Sequence, residues 1–315
     1  MNNKSIGTEP VYDARTLGAP RMFILGLQHM FAMFGATVLV PALSGLDVAT
    51  TLLFAGLGTL LFHLLTKGKV PAFLGSSFAF IGGYNAVRTI GTNPDGSAIY
   101  NNDLLAYACF GVAIAGLMYI ILSTLFKVFG VKKVMRYFPP IVTGPVVTII
   151  GLMLAPSAIN NITTQIGTVN VGLNWLVAAV AVAAIFVTSL FAKGLFKLVP
   201  ILIGIIVGYV AAICCGMVNF TTIAQAPWLD LPPFFLPKFD MRAIGLVAPI
   251  AIVTFVEHIG DVTASSAVVG KDFIKDPGLH RTLMGDGLAT MFAGLVGGPA
   301  NTTYSENTGV LAATK

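Results

Sequence analysis

Three acidic residues interrupt apolar stretches of the sequence: Glu257, Asp261 and Glu306. On scales of membrane insertion, an acid at the centre of a helix costs about 2.5–3.5 kcal/mol, so acids in such places are candidates for function. Glu257 and Asp261 are four residues apart, which places them on one helix face, one turn apart. Two carboxylates that close in a low dielectric share a proton more readily than they ionise together. Together with Glu306, the pair predicts a reversible proton carrier that needs no cofactor, the proton itself being the coupling ion.

Other polar residues near these acids have two interpretations. His29 and His258 could take part in proton coupling or substrate contact, or could bridge helices by hydrogen bonds in a packing role. The acids themselves could form a structural polar network between helices. Asp286 lies near a predicted helix start and could equally be a helix-terminal acid, so it is not assigned to the site. The three cysteines lie in apolar runs without metal-ligand spacing, so no metal site is predicted.

The composition requires a membrane environment for the elements that carry these residues. The chain has 315 residues, of which 56% are hydrophobic and 10% are charged, and its mean hydropathy is +0.87. Soluble domains carry about 25% charged residues. The net charge of +5 does not indicate nucleic-acid binding, because basic residues collect in the cytoplasmic loops of membrane proteins. We therefore predict a multi-pass protein of the plasma or inner membrane, with the lipid bilayer as its surroundings and no nucleic-acid partner.

Apolar runs between polar breaks divide the chain into ten predicted segments. They lie near 21–43, 50–66, 75–86, 104–127, 138–156, 172–192, 198–217, 243–262, 282–297 and 302–314. A helix needs about 20 apolar residues to cross a bilayer, and the third and tenth segments are too short. Each of these two follows a Pro-Ala step and a short stretch that is predicted to be extended, Val70–Leu74 and Gly297–Ala300.

The distribution of Lys and Arg predicts the orientation of the chain. With residues 1–20 as a cytoplasmic N-terminal tail, nearly all of the 18 basic residues fall in loops on the inside, and Arg88, Lys238 and Arg242 fall outside. Such a bias agrees with the positive-inside rule. This orientation requires the short third and tenth segments to cross the membrane, each together with the extended stretch that precedes it.

An internal repeat relates the first three segments to the last three. The corresponding stretches occur in the same order and at a nearly constant offset: Gln28-His29 with Glu257-His258, Thr51–Leu60 with Thr282–Met291, and Gly75–Ala79 with Asn301–Ser305. The matching segments are seven apart in the chain. Because seven is odd, the second copy crosses the membrane in the direction opposite to the first. We therefore predict an all-α polytopic membrane protein with a 7+7 inverted-repeat transporter fold. Its two half-helices, segments 3 and 10, are preceded by short strands, and its second repeat is incomplete, which we interpret as a truncated form.

The starts of the two half-helices are predicted to form the substrate site. A helix that begins at membrane depth offers unpaired backbone N–H groups and the positive end of its dipole. Phe78 and Ser305 lie close to these starts. The N–H groups would meet the carbonyl oxygens of a planar polar solute, carboxylates would accept its ring N–H protons, and Phe78 or Tyr304 would stack on its ring. Several chemical types of small planar solute fit this description.

The last residues of the chain resemble a signature of the nucleobase–ascorbate transporter (nucleobase:cation symporter-2) family. That signature is Gln/Glu/Pro-Asn-x-Gly-x4-Thr-Arg/Lys/Gly. All of its fixed positions are met by Glu306-Asn307-Thr308-Gly309-Val310-Leu311-Ala312-Ala313-Thr314-Lys315. Residues 28–37, 75–80, 257–260, 276–281 and 301–304 are similar to the uracil-transporting members of the family. The resemblance extends from Gly26 to Lys315.

The resemblance implies a transporter, not an enzyme, that imports uracil by proton symport. In that family the first signature position tracks the substrate, and a glutamate, here Glu306, accompanies uracil. The resemblance further implies that Glu257 and Glu306 contact the pyrimidine, and that Phe78 and Ser305 do so through their backbone or ring. Two residues depart from the pattern. Asp261 replaces a histidine, which leaves the proton carrier open between Asp261 and Glu306, and Ser305 replaces a glycine.

The same resemblance implies a domain organisation. A core domain would comprise residues 21–130 (segments 1–4) and 243–315 (segments 8–10), where the repeat is incomplete. A gate domain would begin with residues 131–220 (segments 5–7), and residues 221–242 would form an extracellular loop. The oligomeric state stays open, with a homodimer as one arrangement.

Three alternatives remain at the level of the sequence. The first is a xanthine or urate carrier of the same family, or an anion transporter that shares the fold. The second is a membrane-embedded hydrolase that uses Glu257, His258 and Asp261, although no His-Glu-x-x-His or Gly-x-Ser-x-Gly arrangement supports it. The third is a non-transporting remnant, because segments 11–14 of the family fold are absent from the sequence.

Overall fold

The structure of the chain is a computed structural model, which describes residues 18–94, 98–135, 143–163, 170–192, 200–221 and 230–314. Residues 1–17 of the predicted tail and 222–229 of the predicted extracellular loop lie outside this part. The helices are α1 (Ala19–Ser44), α2 (Val48–Leu65), α3 (Ile81–Arg88), α4 (Leu105–Phe129), α5 (Val131–Met135), α6 (Thr143–Thr163), α7 (Val171–Phe191), α8 (Pro200–Cys214), α9 (Met241–Val247), α10 (Ile250–Val269), α11 (Leu279–Gly294) and α12 (Ser305–Thr314). The strands are β1 (Leu74–Ser76), β2 (Thr89–Thr92), β3 (Ala98–Tyr100) and β4 (Asn301–Thr303).

Within the described residues, five helical stretches are long and apolar enough to cross a membrane. They are Leu25–Ser44, Val48–Leu65, Asn102–Phe129, Val171–Phe191 and Met241–Val269, and they coincide with predicted segments one, two, four, six and eight. Large apolar side chains are exposed along them, for example Leu64 on α2 and Phe191 on α7, each with 75% of its surface accessible. Contiguous apolar surface of this kind suits contact with lipid.

Side-chain caps and glycines set several helix ends. Asp47 begins α2 by accepting a 2.6 Å hydrogen bond from the backbone N–H of Thr50. Asp240 begins α9 in the same way, through the N–H of Ala243 at 3.0 Å. Such caps satisfy backbone donors that have no partner in the first turn. Gly45 ends α1 in the left-handed conformation that residues with a Cβ rarely adopt.

Predicted segment eight contains a break that the sequence interpretation missed. The helix predicted over 243–262 consists of α9 and α10, which Ala248-Pro249 separates. Because Pro249 lacks a backbone N–H and its ring clashes with the preceding turn, it ends α9 and becomes the N-cap of α10. Helix α10 then continues to Val269 and carries Glu257, His258 and Asp261.

Two short strands precede the half-helices and pair with each other. Strands β1 and β4 are antiparallel, with Leu74 opposite Thr303 and Ser76 opposite Asn301. They lie a few residues later than the predicted stretches 70–74 and 297–300, which contain Pro71 and Pro299. Proline cannot donate to a strand ladder, so the pairing begins after the Pro-Ala steps. After β1, a 3-10 turn over Phe78–Phe80 leads into α3, and after β4 the chain enters α12 directly.

The described part of the chain is mostly helical, as predicted, and outside this pair it contains one further pair of strands. Strands β2 and β3 form an antiparallel hairpin between α3 and α4 that the sequence interpretation missed. The hairpin packs against Arg88, whose guanidinium lies 4.0 Å from the centroid of the Tyr100 ring. Arg88 also donates to the carbonyl of Leu43 at 2.7 Å and therefore links the hairpin to the end of α1.

The centre of the described structure is the close contact between α4 and α11, where glycines let the two backbones approach. A Cβ atom placed on Gly116 would lie 2.5 Å from the backbone N of Met291 and 2.6 Å from the carbonyl oxygen of Gly287. A Cβ on Gly294 would lie 2.7 Å from the backbone N of Ala113. Small residues at such contacts favour helix association in membranes. This packing fixes α11, which borders the candidate site.

Candidate functional site at the paired strands

The paired strands bring the two half-helix starts close together. Because β1 and β4 are antiparallel, α3 and α12 leave the short ladder at its opposite ends and in opposite directions. One further hydrogen bond extends the ladder at each end. The N–H of Ser77 donates to the carbonyl of Ala300 at 2.9 Å, and the N–H of Tyr304 donates to the carbonyl of Phe73 at 3.1 Å. The first-turn N–H groups of both helices therefore lie within a strand's length of each other, which creates two positive helix ends in one region.

Asp261 of α10 lies against the junction of β4 and α12. Its carboxylate accepts hydrogen bonds from the hydroxyl of Ser305 and, at 3.4 Å, from the hydroxyl of Thr303, and the residue is buried. The structure thus brings together two residues that the sequence assigned to the site, Asp261 and Ser305. Glu257 lies one turn earlier on α10 and is half-buried. Asp261 therefore lies at the start of α12, with Glu257 one turn away along α10.

His258 of α10 is enclosed by protein groups on both ring nitrogens. Its Nδ1 lies 2.8 Å from Oδ2 of Asp286 and 3.1 Å from the hydroxyl of Thr303, and its Nε2 lies 2.9 Å from the hydroxyl of Thr282. Since the Thr282 hydroxyl donates to the carbonyl of Leu279 at 3.0 Å, it accepts from Nε2–H. Nδ1 then faces Oδ2 of Asp286 and the hydroxyl of Thr303, so the ring connects α10 with α11 and β4. This is the bridging arrangement that the packing interpretation of His258 predicts.

Asp286 is therefore not a helix-terminal acid, and that interpretation is wrong. It is the eighth residue of α11 and is fully buried. Besides His258, it accepts the backbone N–H of Thr303 at 3.1 Å, so it joins α10, α11 and β4. The sequence interpretation missed Asp286, Thr282 and Thr303 as members of this network. The sequence does carry a signal for Asp286, an acid within an apolar run, but the predicted helix begins at residue 282 and the observed one at Leu279, one turn earlier.

Tyr304 holds the two strands together instead of presenting a free ring edge. Its hydroxyl donates to the carbonyl of Ser76 at 2.6 Å, and the hydroxyl of Ser76 donates to the carbonyl of Thr37 at 2.9 Å. The Tyr304 ring is buried against Gly75, where a Cβ would lie 2.6 Å from ring atoms. Phe78 packs in the same apolar cluster but is only half-buried. Of the two rings predicted to stack on a substrate, Phe78 has the more accessible surface.

His29 and Asn307 connect α1 with α12. Nδ1 of His29 lies 2.6 Å from Oδ1 of Asn307, whose Nδ2 donates to the carbonyl of Pro71 at 2.7 Å. Because the amide nitrogen of Asn307 is the donor to Pro71, its oxygen accepts from Nδ1–H of His29. Through Asn307, His29 connects α1 to α12 and to the chain segment before β1. Glu306 is the second residue of α12, and its side chain lies outside the described part of the structure.

The arrangement can bind a small polar solute and exchange protons. Helix starts supply N–H donors, α10 supplies carboxylates, and hydroxyls of Thr303 and Ser305 can donate to a carboxylate or accept from a carboxylic acid. No three His, Cys, Asp or Glu side chains form a group that could hold a metal ion in the part of the chain that the structure describes.

A protein-family model matches nearly the whole chain. The family model Xan_ur_permease, described as Permease family, matches residues 20–315. The chain is 46% identical over 292 residues to a probable uracil permease of Haemophilus influenzae, covering 92% of this chain and 67% of that protein. It is 44% identical over 311 residues to the uracil permease of Bacillus caldolyticus, covering 97% and 69%. With the uracil permease of Escherichia coli K12 the identity is 38%, covering 92% and 65%.

A solved structure shares the fold at low sequence identity. The transmembrane domain of a cyanobacterium bicarbonate transporter, BicA, matches with a TM-score of 0.62 and 16% identity, covering 92% of this chain and 76% of that one. The chain spans about two thirds of the length of the uracil permeases named above. The extent of the family match excludes the membrane-hydrolase alternative. The chain belongs to the permease family of nucleobase–ascorbate (nucleobase:cation symporter-2) transporters, and is a multi-pass membrane transporter rather than an enzyme.

Proposed function

We propose that the protein is a secondary active transporter that imports uracil by proton symport. The observation that carries this proposal is the position of Asp261, which accepts hydrogen bonds from Thr303 and Ser305 at the start of α12, one turn from Glu257. The carboxylates of α10 offer acceptors for ring N–H groups, and the helix starts at the paired strands offer donors for ring carbonyls. Uracil has two of each, and proteins named uracil permease share 38–46% of the sequence.

The proposed substrate contacts follow from the chemistry of the site. Glu257 accepts a ring N–H of uracil, and the backbone N–H groups at Phe78 and Ser305 donate to its carbonyl oxygens. The ring of Phe78 stacks on the pyrimidine, and Glu306 provides a second carboxylate. Tyr304 supports the site, because its hydroxyl is bonded to Ser76 of the opposite strand.

We propose that Asp261 carries the coupling proton, with Glu306 as the second candidate. The hydroxyls that bond to Asp261 are compatible with either protonation state, because a hydroxyl both donates and accepts. His258 and His29 then act as positioning residues. His258 is bonded to Asp286 of α11, and His29 is bonded to Asn307 of the half-helix α12. No cofactor other than the proton takes part in this mechanism.

The movement of the protein follows from the proposed 7+7 inverted repeat. The antiparallel strand–helix units β1–α3 and β4–α12 support such a repeat, because each enters a short helix in the opposite direction. We propose that residues 21–130 and 243–315 form a core domain that moves against a gate domain containing residues 131–220. In this proposal the N-terminus lies in the cytoplasm. A homodimer is one oligomeric arrangement that is compatible with it.

The test is uptake of radiolabelled uracil into cells that lack their own uracil carrier and express the protein. Uptake should be faster at external pH 6 than at pH 8, should be competed by excess unlabelled uracil but not by xanthine, and should stop when a protonophore removes the gradient. Cells carrying the empty vector are the control. Competition by xanthine would favour the xanthine or urate carrier, and no uptake by membrane-inserted protein would contradict the substrate assignment.

A further inference from the structure

A cavity of about 310 Å³ lies at the ends of three helices, away from the paired strands. It is lined by Leu65 at the end of α2, by Ser123, Thr124 and Lys127 near the end of α4, and by His280, Arg281 and Met284 in the first turns of α11. Helices α2 and α4 end, and α11 begins, at this level, so the cavity lies where apolar helix surface gives way to loops. None of the groups proposed to bind uracil lines it.

The charge in the cavity is of one sign. The cavity's cationic side chains are those of Lys127 and Arg281. His280 also lines the cavity, with a pKa that burial and the charges of Arg281 and Lys127 lower, and none of the other lining residues is an acid. Arg281 uses one nitrogen to donate to the carbonyl of Leu65 at 3.1 Å, which holds its guanidinium at the wall and leaves other N–H groups for a ligand. Lys127 has an exposed side chain and forms no ion pair with a carboxylate among the described residues. An unneutralised basic cavity of this kind favours an anion.

The surface that borders the cavity is apolar and exposed. On α4, Ile121 and Val128 lie three residues before and four residues after Thr124, on the same helix face, and are 54% and 69% exposed. On α2, Leu64 directly precedes Leu65 and is 75% exposed, and Leu60, one turn before Leu64 on the same face, is 68% exposed. A ligand that fits both the basic cavity and the apolar helix faces has an anionic headgroup and hydrocarbon chains. A soluble anion would contact only the basic cavity.

We propose that this cavity binds the headgroup of an anionic phospholipid, whose acyl chains lie along α2 and α4. Basic pockets between membrane helices recognise such headgroups through charge and hydrogen bonds. The lipid bridges three helices, including α11, which packs on α4 and carries Asp286. The site is independent of the uracil proposal, because it shares no residue with the proposed substrate contacts.

The experiment is a thermal-unfolding titration of the full chain, purified in a neutral detergent and stripped of lipid. Phosphatidylglycerol should raise Tm with saturation, whereas phosphatidylcholine with the same acyl chains and inorganic phosphate should not. In Lys127→Gln the apparent affinity for phosphatidylglycerol should fall by about fivefold, the effect expected for one basic group near an anionic lipid. The matched control is Lys133→Gln, which removes the same charge from α5, outside the cavity.

The outcomes separate the lipid from its alternatives. An equal rise in Tm with phosphatidylcholine, or equal phosphatidylglycerol affinity in Lys127→Gln and Lys133→Gln, would overturn the proposal. Stabilisation by inorganic phosphate that Lys127→Gln abolishes would identify a soluble-anion site and overturn the lipid assignment. Because Lys127 makes no hydrogen bond to a described residue, its replacement should leave folding intact and the comparison valid.

Discussion

Nδ1 of His258 lies 2.8 Å from Oδ2 of Asp286, and both side chains are completely buried. The pair joins α10, which carries the acids of the proposed site, to α11 in the centre of the structure. Thr303 of β4 bonds to the same carboxylate through its backbone N–H at 3.1 Å. The position of Glu257 and Asp261 relative to the paired strands therefore depends on a polar contact that no substrate needs to touch.

Replacing Asp286 should destabilise the fold more than it changes the chemistry of the site. In Asp286→Ala the ring of His258 and the N–H of Thr303 lose a buried partner. Breaking a buried pair on one side costs about 3–5 kcal/mol, so Tm in detergent should fall clearly. The matched control is Asp272→Ala, which removes an exposed pair with Lys275 that solvent screens, so its Tm should stay close to the wild-type value. Equal Tm values for the two variants would contradict the buried pair.

The contact of α4 with α11 can be tested with two glycines that differ only in their surroundings. Gly116→Ala places a Cβ 2.5 Å from a backbone nitrogen of α11, which cannot move aside as a side chain could. Overpacking of this kind costs about 1–3 kcal/mol. Gly56→Ala on α2 meets no atom within 4 Å and should leave Tm unchanged or raise it, since alanine favours helix by up to about 1 kcal/mol. The same Tm change in both variants would argue against the close approach.

Tyr304→Phe separates the structural role of this residue from a role in stacking. The variant keeps the ring but leaves the buried carbonyl of Ser76 without its donor, which should cost about 1–3 kcal/mol of stability. Uracil affinity should change little, because the proposed stacking partner is Phe78. The control Tyr209→Phe removes an exposed hydroxyl on α8 and should have no effect on Tm. An unchanged Tm with lost uracil affinity would instead place the Tyr304 hydroxyl in the substrate site.

Asp261→Asn tests the proposed proton carrier. An amide cannot take up and release the coupling proton, yet it can still bond to the hydroxyls of Thr303 and Ser305. The variant should bind uracil, should lose accumulation against a gradient, and should take up uracil at the same rate at pH 6 and pH 8. The control Asp103→Asn changes an exposed acid of the loop before α4. Wild-type accumulation and pH dependence in Asp261→Asn would leave Glu306 as the carrier.

Much of the helical pattern was predictable, because long apolar runs have few structures available to them in a membrane. The predicted segments at 21–43, 50–66, 104–127 and 172–192 correspond to α1, α2, α4 and α7 within a few residues. The break at Pro249 was missed because the residues on both sides of it are apolar, so hydropathy alone does not change there. The hairpin of β2 and β3 was missed because four- and three-residue strands carry no periodic signal.

The site was predictable only in part. The rarity of acids in apolar runs pointed to Glu257 and Asp261, and the paired Pro-Ala steps pointed to the strand–helix junctions at Phe78 and Ser305. Contacts between distant residues were not predictable from one sequence. Asp286 meets His258 across 28 positions of the chain, and the Tyr304 hydroxyl reaches Ser76 across 228 positions.

The central claim, that a carboxylate of α10 accepts a ring N–H of uracil, is tested most directly by uracil binding to purified wild-type protein and Glu257→Gln. Glutamine keeps a neutral acceptor for the ring N–H, so the variant loses the difference between a charged and a neutral hydrogen bond, about 1 kcal/mol, and the Kd should rise about fivefold. Asp272→Asn, an exposed acid beyond the end of α10, should keep the wild-type Kd, and both variants should keep the wild-type Tm. A wild-type Kd in folded Glu257→Gln would contradict the account and remove this residue from the site.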